Sequence, residues 1–207
     1  MKKLRIISFI VSLALVAFLG YTWNQISKQG VSTQSQKLIP VSEDAFGGKF
    51  SLVNHFGEKV DEKTYSGQYR LMYFGFTYCP AICPTGLQKI TAALKSLGSD
   101  ADKIQPLFIT VDPERDTAEV MKNYVALFHP KLVGLTGTPE QIAPTLKNYK
   151  IYAAKVQDAS MSEYTMDHSS FTYLIGPNDN LLHIFKHEDK ADDMANIIRQ
   201  WLAASPK

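Results

Sequence analysis

Cys79-Pro80-Ala81-Ile82-Cys83-Pro84 holds the only two cysteines of the chain, four positions apart. The run before it, Arg70 to Phe76 (RLMYFGF), is apolar, rich in β-favouring aromatics and short enough for a buried strand. After it Leu87, Ile90, Ala93, Leu94 and Leu97 recur at helical spacing, and Gly98 stands where a helix would stop. The two sulfurs are therefore expected at a strand-to-helix junction. Unpaired backbone N–H groups and the helix dipole favour thiolate over thiol there. Such a pair is suited to react or to bind a soft metal.

Working outward, Pro106 to Val111 (PLFITV) reads as a second strand. Asp116 with Glu119 reads as a capping box for a helix carrying Val120, Met121, Tyr124, Val125 and Phe128. Lys131 to Leu135 is a third short strand, and Thr138-Pro139-Glu140-Gln141 opens another helix with Pro139 at its first position. Ile151 to Val156 follows as a strand, then a polar loop ending in Tyr164-Thr165-Met166-Asp167-His168. Phe171 to Ile175 and Leu181 to Phe185 bracket a turn at Gly176 to Asn180, and Met194, Ile197, Ile198, Trp201 and Leu202 mark a last amphipathic helix. On the N-terminal side, Phe50 to Asn54 and Glu58 to Val60 flank His55-Phe56-Gly57 as a small β-hairpin with Gly57 in the turn. Alternating strands and helices predict an α/β domain over residues 48–207 with a central, mostly parallel sheet and an antiparallel edge. A thiol pair after the first core strand is placed as in a thioredoxin-like redox site, with a spacing one residue longer.

At the N-terminus Lys2, Lys3 and Arg5 precede Ile6 to Trp23, eighteen residues without a charge. That length lies within the roughly 17–25 residues of a membrane span. Residues 1–23 are thus expected to be a transmembrane helix, with the basic flank in the cytoplasm and everything after Trp23 outside. A small-x-small cleavage site is not evident, which favours an uncleaved anchor over a signal peptide. Residues 24–47, rich in Ser, Gln and Gly, read as a flexible stalk. The first 24 residues carry three basic and no acidic groups, leaving 19 basic against 20 acidic in the remainder. A near-neutral domain without basic runs gives no electrostatic case for nucleic acid.

Three chemistries compete for the cysteine pair. A structural staple is weak, because closing a five-residue loop is worth roughly 2 kcal/mol against roughly 3 for fifteen residues. Thiol–disulfide chemistry is open, with Pro80 and Pro84 constraining the ring. Metal binding needs another ligand from His55, His129, His168, His183 or His187. His183 and His187 look solvated, His129 suits a helix end, and His55 sits beside a hairpin turn. His168 differs: it closes the longest polar loop, immediately before a core strand, where a loop can reach the first helix start. Two thiolates and an imidazole favour Cu(I) and tolerate Cu(II), whereas structural zinc would ask for a fourth protein ligand. A peroxiredoxin-like peroxidase would need a cation beside its thiolate, and of Arg70, Arg115 and Arg199 none is expected to adjoin the motif.

The segments FGFTYCPAICP (Phe74 to Pro84), TVDPERDT (Thr110 to Thr117), GLTGTPEQI (Gly134 to Ile142) and YTMDHSSFTYLIGP (Tyr164 to Pro177) together resemble the Sco/SenC family of copper-binding proteins. The resemblance implies a thioredoxin-like fold tethered to an energy-conserving inner membrane, its domain facing the periplasm. It implies copper held by Cys79, Cys83 and His168. It also implies delivery of copper to, or thiol reduction at, the dinuclear copper site of a cytochrome c oxidase subunit, with a periplasmic copper chaperone or thiol reductant as further partners. Bacterial relatives include redox-signalling and stress-defence proteins. Many relatives carry Asp where this chain has Ala81, which removes a carboxylate from the site. Asp112 is either a replacement carboxylate or a turn residue before Pro113.

Overall fold

A computed structural model of the protein describes residues 18, 20, 21, 46–157 and 162–204. The chain divides into two units, 1–37 and 38–207, of which the first is described only at residues 18, 20 and 21, all helical. Among the described residues no helix is long and apolar enough to cross a membrane. Apart from those three positions the anchor expected at 1–23 lies outside the described residues, as does the stalk up to residue 45.

Strands β1 (Ser51–Asn54) and β2 (Lys59–Asp61) form the expected antiparallel hairpin. It turns through Gly57 at φ 85°, a left-handed conformation that glycine adopts without a Cβ clash. Next come β3 (Tyr69–Gly75), α1 (Ile82–Leu97), β4 (Ile104–Thr110), α2 (Ala118–Val125), β5 (Val133–Thr136) and α3 (Pro139–Asn148). The chain closes with β6 (Ala153–Val156), β7 (Thr165–His168), β8 (Thr172–Ile175), β9 (Leu181–Phe185) and α4 (Ala191–Ala204). Seven strands form one sheet in the order β2-β1-β5-β4-β3-β8-β9. Its core, β3-β4-β5, is parallel as expected. The two hairpins extend that core antiparallel on both sides, through β1–β5 and β3–β8, so the whole sheet is mixed.

Every residue of β3 is buried, because it has strands on both edges and packed layers on both faces. Alternation along the strand separates those faces. The ring of Tyr73 lies against Gly86 of α1, while Phe74 meets Tyr149 and Tyr173 on the other side. Helix α1 buries Cys83, Leu87, Ile90, Leu94 and Leu97, and each Leu or Ile so covered contributes about 1.5–3 kcal/mol. It ends at Gly98, φ 59°, as its sequence anticipates.

Two expectations are corrected. The helix after β4 is capped by Thr117, whose side chain accepts the Val120 N–H, and not by Asp116. Asp116 is instead fully buried, since moving the cap one residue on turns its carboxylate inward. The segment from Ile151 does not join the central sheet: β6 pairs only with β7 as a separate antiparallel ribbon. Tyr164 to His168, read as the end of a loop, is therefore mostly strand. Its pattern is half-exposed on both faces, and a two-stranded ribbon tolerates that where a buried sheet does not.

Candidate metal centre

The cysteine arm grows directly out of the core. β3 stops at Gly75, and a Cβ there would stand 2.8 Å from Cys83 Sγ and 3.0 Å from the Phe108 ring. Glycine is thus what lets the second sulfur seat on the end of the central strand. Cys83 is wholly buried in the first turn of α1, whereas Cys79 retains 9% exposure on the loop before it. The helix start at Ala81 has no side-chain cap, and its place is taken by sulfur: Cys79 Sγ accepts the Cys83 N–H at 3.4 Å. Pro84 costs nothing here, because first-turn N–H groups have no helical partner.

The two sulfurs are free thiols with opposite proton affinities. Cys79 is pulled down to about 3, chiefly because the Cys83 S–H donates to it; burial opposes this, and His168 and the N–H groups of Cys83 and Ala81 assist. Cys83 is pushed well above the ordinary thiol range, first by sharing that proton with Cys79 and then by burial. Tyr73, whose hydroxyl is buried on the same side, is raised by burial and then by the neighbouring Cys83 sulfur. The pair thus consists of a more accessible thiolate and a covered thiol.

The histidine arm arrives from the ribbon. His168 is the last residue of β7, opposite Ala153 of β6, and its Nε2 lies 3.6 Å from Cys83 Sγ. Nδ1 is 3.0 Å from the Ser169 carbonyl. A carbonyl can only accept, so Nδ1 donates there and Nε2 is the ring atom that faces the sulfurs. Phe76 meets the imidazole edge-on with ring centroids 5.7 Å apart, holding the ring upright. The chain thus brings Cys79, Cys83 and His168 together, while the other histidines serve elsewhere. His55 accepts the Gly134 N–H, His129 accepts the Lys131 N–H, and His183 meets Phe185 at a tilt, ring centroids 4.6 Å apart. His187, expected to be solvated, has a buried Nδ1. Among the described residues no three His, Cys, Asp or Glu groups already converge on one metal position. The three side chains are neighbours, and their soft chemistry would suit copper.

The surroundings give Asp116, Asp112 and Arg115 roles that differ from those read in the sequence. Asp116 accepts hydrogen bonds from the Thr77 N–H, the Thr77 hydroxyl at 2.5 Å and the Thr110 hydroxyl at 2.6 Å, tying the cysteine loop to the end of β4. Burial raises its carboxyl above the usual range, with the threonine bonds opposing. Asp112 is engaged by other partners: it accepts from Arg115 Nε and, at 2.8 Å, from the Tyr164 hydroxyl. Arg115 itself does adjoin the motif, contrary to expectation. Its guanidinium carbon lies 4.7 Å from the Tyr78 ring, one residue before Cys79. The parallel pairing of Gly75 with Thr110 was the signal for this: it sets the residues leaving β3 beside those leaving β4.

Comparison with known proteins adds the lineage. The SCO1/SenC family model matches residues 40–203. The chain belongs to that family. It is 37% identical over 196 residues to the mitochondrial SCO1 homolog 1 of Arabidopsis thaliana, an alignment covering 91% of this chain but 58% of the Arabidopsis protein. A solved structure of Arabidopsis thaliana ScoI with copper bound superposes with a TM-score of 0.72 at 38% identity, covering 77% of this chain and 99% of that one. The structure of BsSco, a member of the Sco family of cytochrome c oxidase assembly proteins in which a disulfide switch is described, matches at TM-score 0.63 and 25% identity over 82% of this chain and 99% of that one.

Proposed function

We propose that this Sco-family chain is a membrane-tethered copper metallochaperone that carries one copper ion on Cys79, Cys83 and His168. Its recipient is the dinuclear copper site of a cytochrome c oxidase subunit. The observation that carries this reading is the 3.6 Å approach of His168 Nε2 to Cys83 Sγ, beside the Cys79 thiolate, across 85 positions of sequence. Two sulfurs and one nitrogen form a soft set that leaves a coordination position open for an incoming ligand. Around it Tyr78, Pro80, Ala81 and Ile82 are exposed and uncharged, a rim on which a partner's cysteines can approach. The anchor at 1–23 and the stalk at 24–47 would hang the domain on the periplasmic face of the inner membrane, within reach of a membrane-bound recipient. A periplasmic copper donor or thiol reductant would load it. Titration of the full-length protein with copper tests this. Cys79→Ser, Cys83→Ser and His168→Ala are each expected to weaken binding, and undiminished affinity in all three overturns the reading.

A second reading is favoured by the unequal thiols. As a thiol–disulfide reductase, the chain would attack a recipient's disulfide with the Cys79 thiolate, forming a mixed disulfide and expelling one recipient thiolate. Cys83, after giving up its proton, would displace Cys79's partner sulfur, leaving a Cys79–Cys83 disulfide and a reduced recipient. The same step serves redox defence. Oxidase assembly that continues unimpaired in a His168→Ala strain would favour reduction over delivery, because reduction needs no imidazole ligand.

A further inference from the structure

The ribbon that carries His168 shares no strand pairing with the central sheet; Ala153 and Met166 pack against the core, and the orientation of the imidazole at the sulfurs rests on side-chain contacts. Among the described residues, and apart from His168 itself, polar ties from the ribbon and its root reach one short loop, residues 111–117. Arg115 Nη1 donates to the Tyr164 carbonyl at 2.9 Å, and its guanidinium carbon lies 3.7 Å from the centre of the Tyr164 ring. The Tyr164 hydroxyl returns to Asp112, and Lys155 of β6 pairs with Glu114. The same guanidinium stacks over Tyr78 and approaches Phe76 at 5.9 Å, the ring that holds His168 edge-on. Asp112, buried at 1% exposure, fixes the guanidinium through Nε. One side chain therefore touches the loop of Cys79 on one side and the root of the ribbon of His168 on the other. Planar guanidinium groups are suited to this double duty, donating in their plane while stacking on both faces.

We propose that Arg115 is a positioning residue that clasps the β6–β7 ribbon to the cysteine loop and so sets His168 at the sulfurs. Opening the clasp withdraws the imidazole and leaves the dithiol intact. This makes the 111–117 loop the element that decides whether copper sees three ligands or two. The inference rests on the copper reading for its affinity consequence, but not for its geometry.

The test uses the full-length protein with Arg115→Gln, Arg115→Lys, His168→Ala and the double variant Arg115→Gln/His168→Ala. In metal-free, reduced protein, nuclear Overhauser contacts between the His168 and Phe76 rings are expected in wild type and lost in Arg115→Gln. Persistence of those contacts in Arg115→Gln overturns the proposal whatever the protein does with copper. With copper as the probe, Arg115→Gln is expected to lower affinity about tenfold in the wild-type background, the range of an outer-shell partner. It should change nothing further once His168 is absent. Equal losses in both backgrounds show a general structural effect and overturn the proposal. Arg115→Lys, which keeps charge but not the planar fork, is expected to lie between. If wild type and His168→Ala bind copper alike, the copper assignment of His168 fails, and the ring contacts alone decide the role of Arg115.

Discussion

The two arms of the site are built from different kinds of structure. The cysteine arm is an outgrowth of the most buried strand, with Cys83 wedged between Gly75 and the first turn of α1 and no space to spare. The histidine arm is a four-residue strand on a ribbon unpaired with the central sheet, half-exposed, with Ala153 and Met166 against the core and polar side-chain contacts at its margin. Backbone pairing plus core packing resists local opening up to the global stability of a domain, whereas exposed polar ties resist far less. One arm, the platform, is thus expected to open only with the core, the other more readily. For the copper carrier proposed above, that division would let a single ligand leave while the others keep hold.

The sharpest way to break the comparison is the chemistry of the platform. A free thiol near its ordinary pKa loses about tenfold in thiolate for each unit of pH below it, so its alkylation falls about 100-fold between pH 7 and pH 5. Cys79, held down to about 3, stays ionised throughout and loses thiolate only as pH falls through that value. Iodoacetamide modification followed by mass mapping is expected to show a nearly flat rate at Cys79 over that interval and no labelling at Cys83. A steep profile at Cys79 would remove the fixed, preformed thiolate. Next in size is Gly75→Ala, which pushes a methyl against Cys83 Sγ, Phe108 and Tyr73 at 2.8–3.1 Å. Overpacking of this kind costs about 1–3 kcal/mol, readable as a lower denaturant midpoint. Unchanged stability would mean the platform is softer than its packing implies. Smallest is Tyr164→Phe, which deletes the hydrogen bond to Asp112 and is expected to cost about 0.5–1.5 kcal/mol. Amide exchange should quicken at residues 153–156 and 165–168 while β3 and α1 keep their protection. Uniform acceleration across the domain would erase the distinction between the arms.

The same division explains what could be read from the sequence. The platform was legible because β3 is a continuous apolar run and α1 repeats its buried residues every three or four positions, signals that lie within a single segment. His168 stood out by elimination among five histidines, but the strand that carries it did not: its partner is β6 rather than the sheet, and half-exposed residues give no period. Asp116 satisfied a capping pattern, yet Thr117 next to it offers a hydroxyl in the same geometry, and only packing decides between them. Arg115 was missed because its partners Tyr78 and Tyr164 lie 37 and 49 positions away in the chain. Adjacency of this sort follows from strand order, which residue spacing does not disclose.

A helix that begins after an alanine and borrows a sulfur to quiet the amide of its second residue ties its own beginning to the state of that sulfur. Oxidation, alkylation or metallation each withdraw electron density that the Cys83 amide now shares. Any such change at Cys79 would therefore be felt first in the turn that carries Ile82 and Cys83, on the exposed rim of the site.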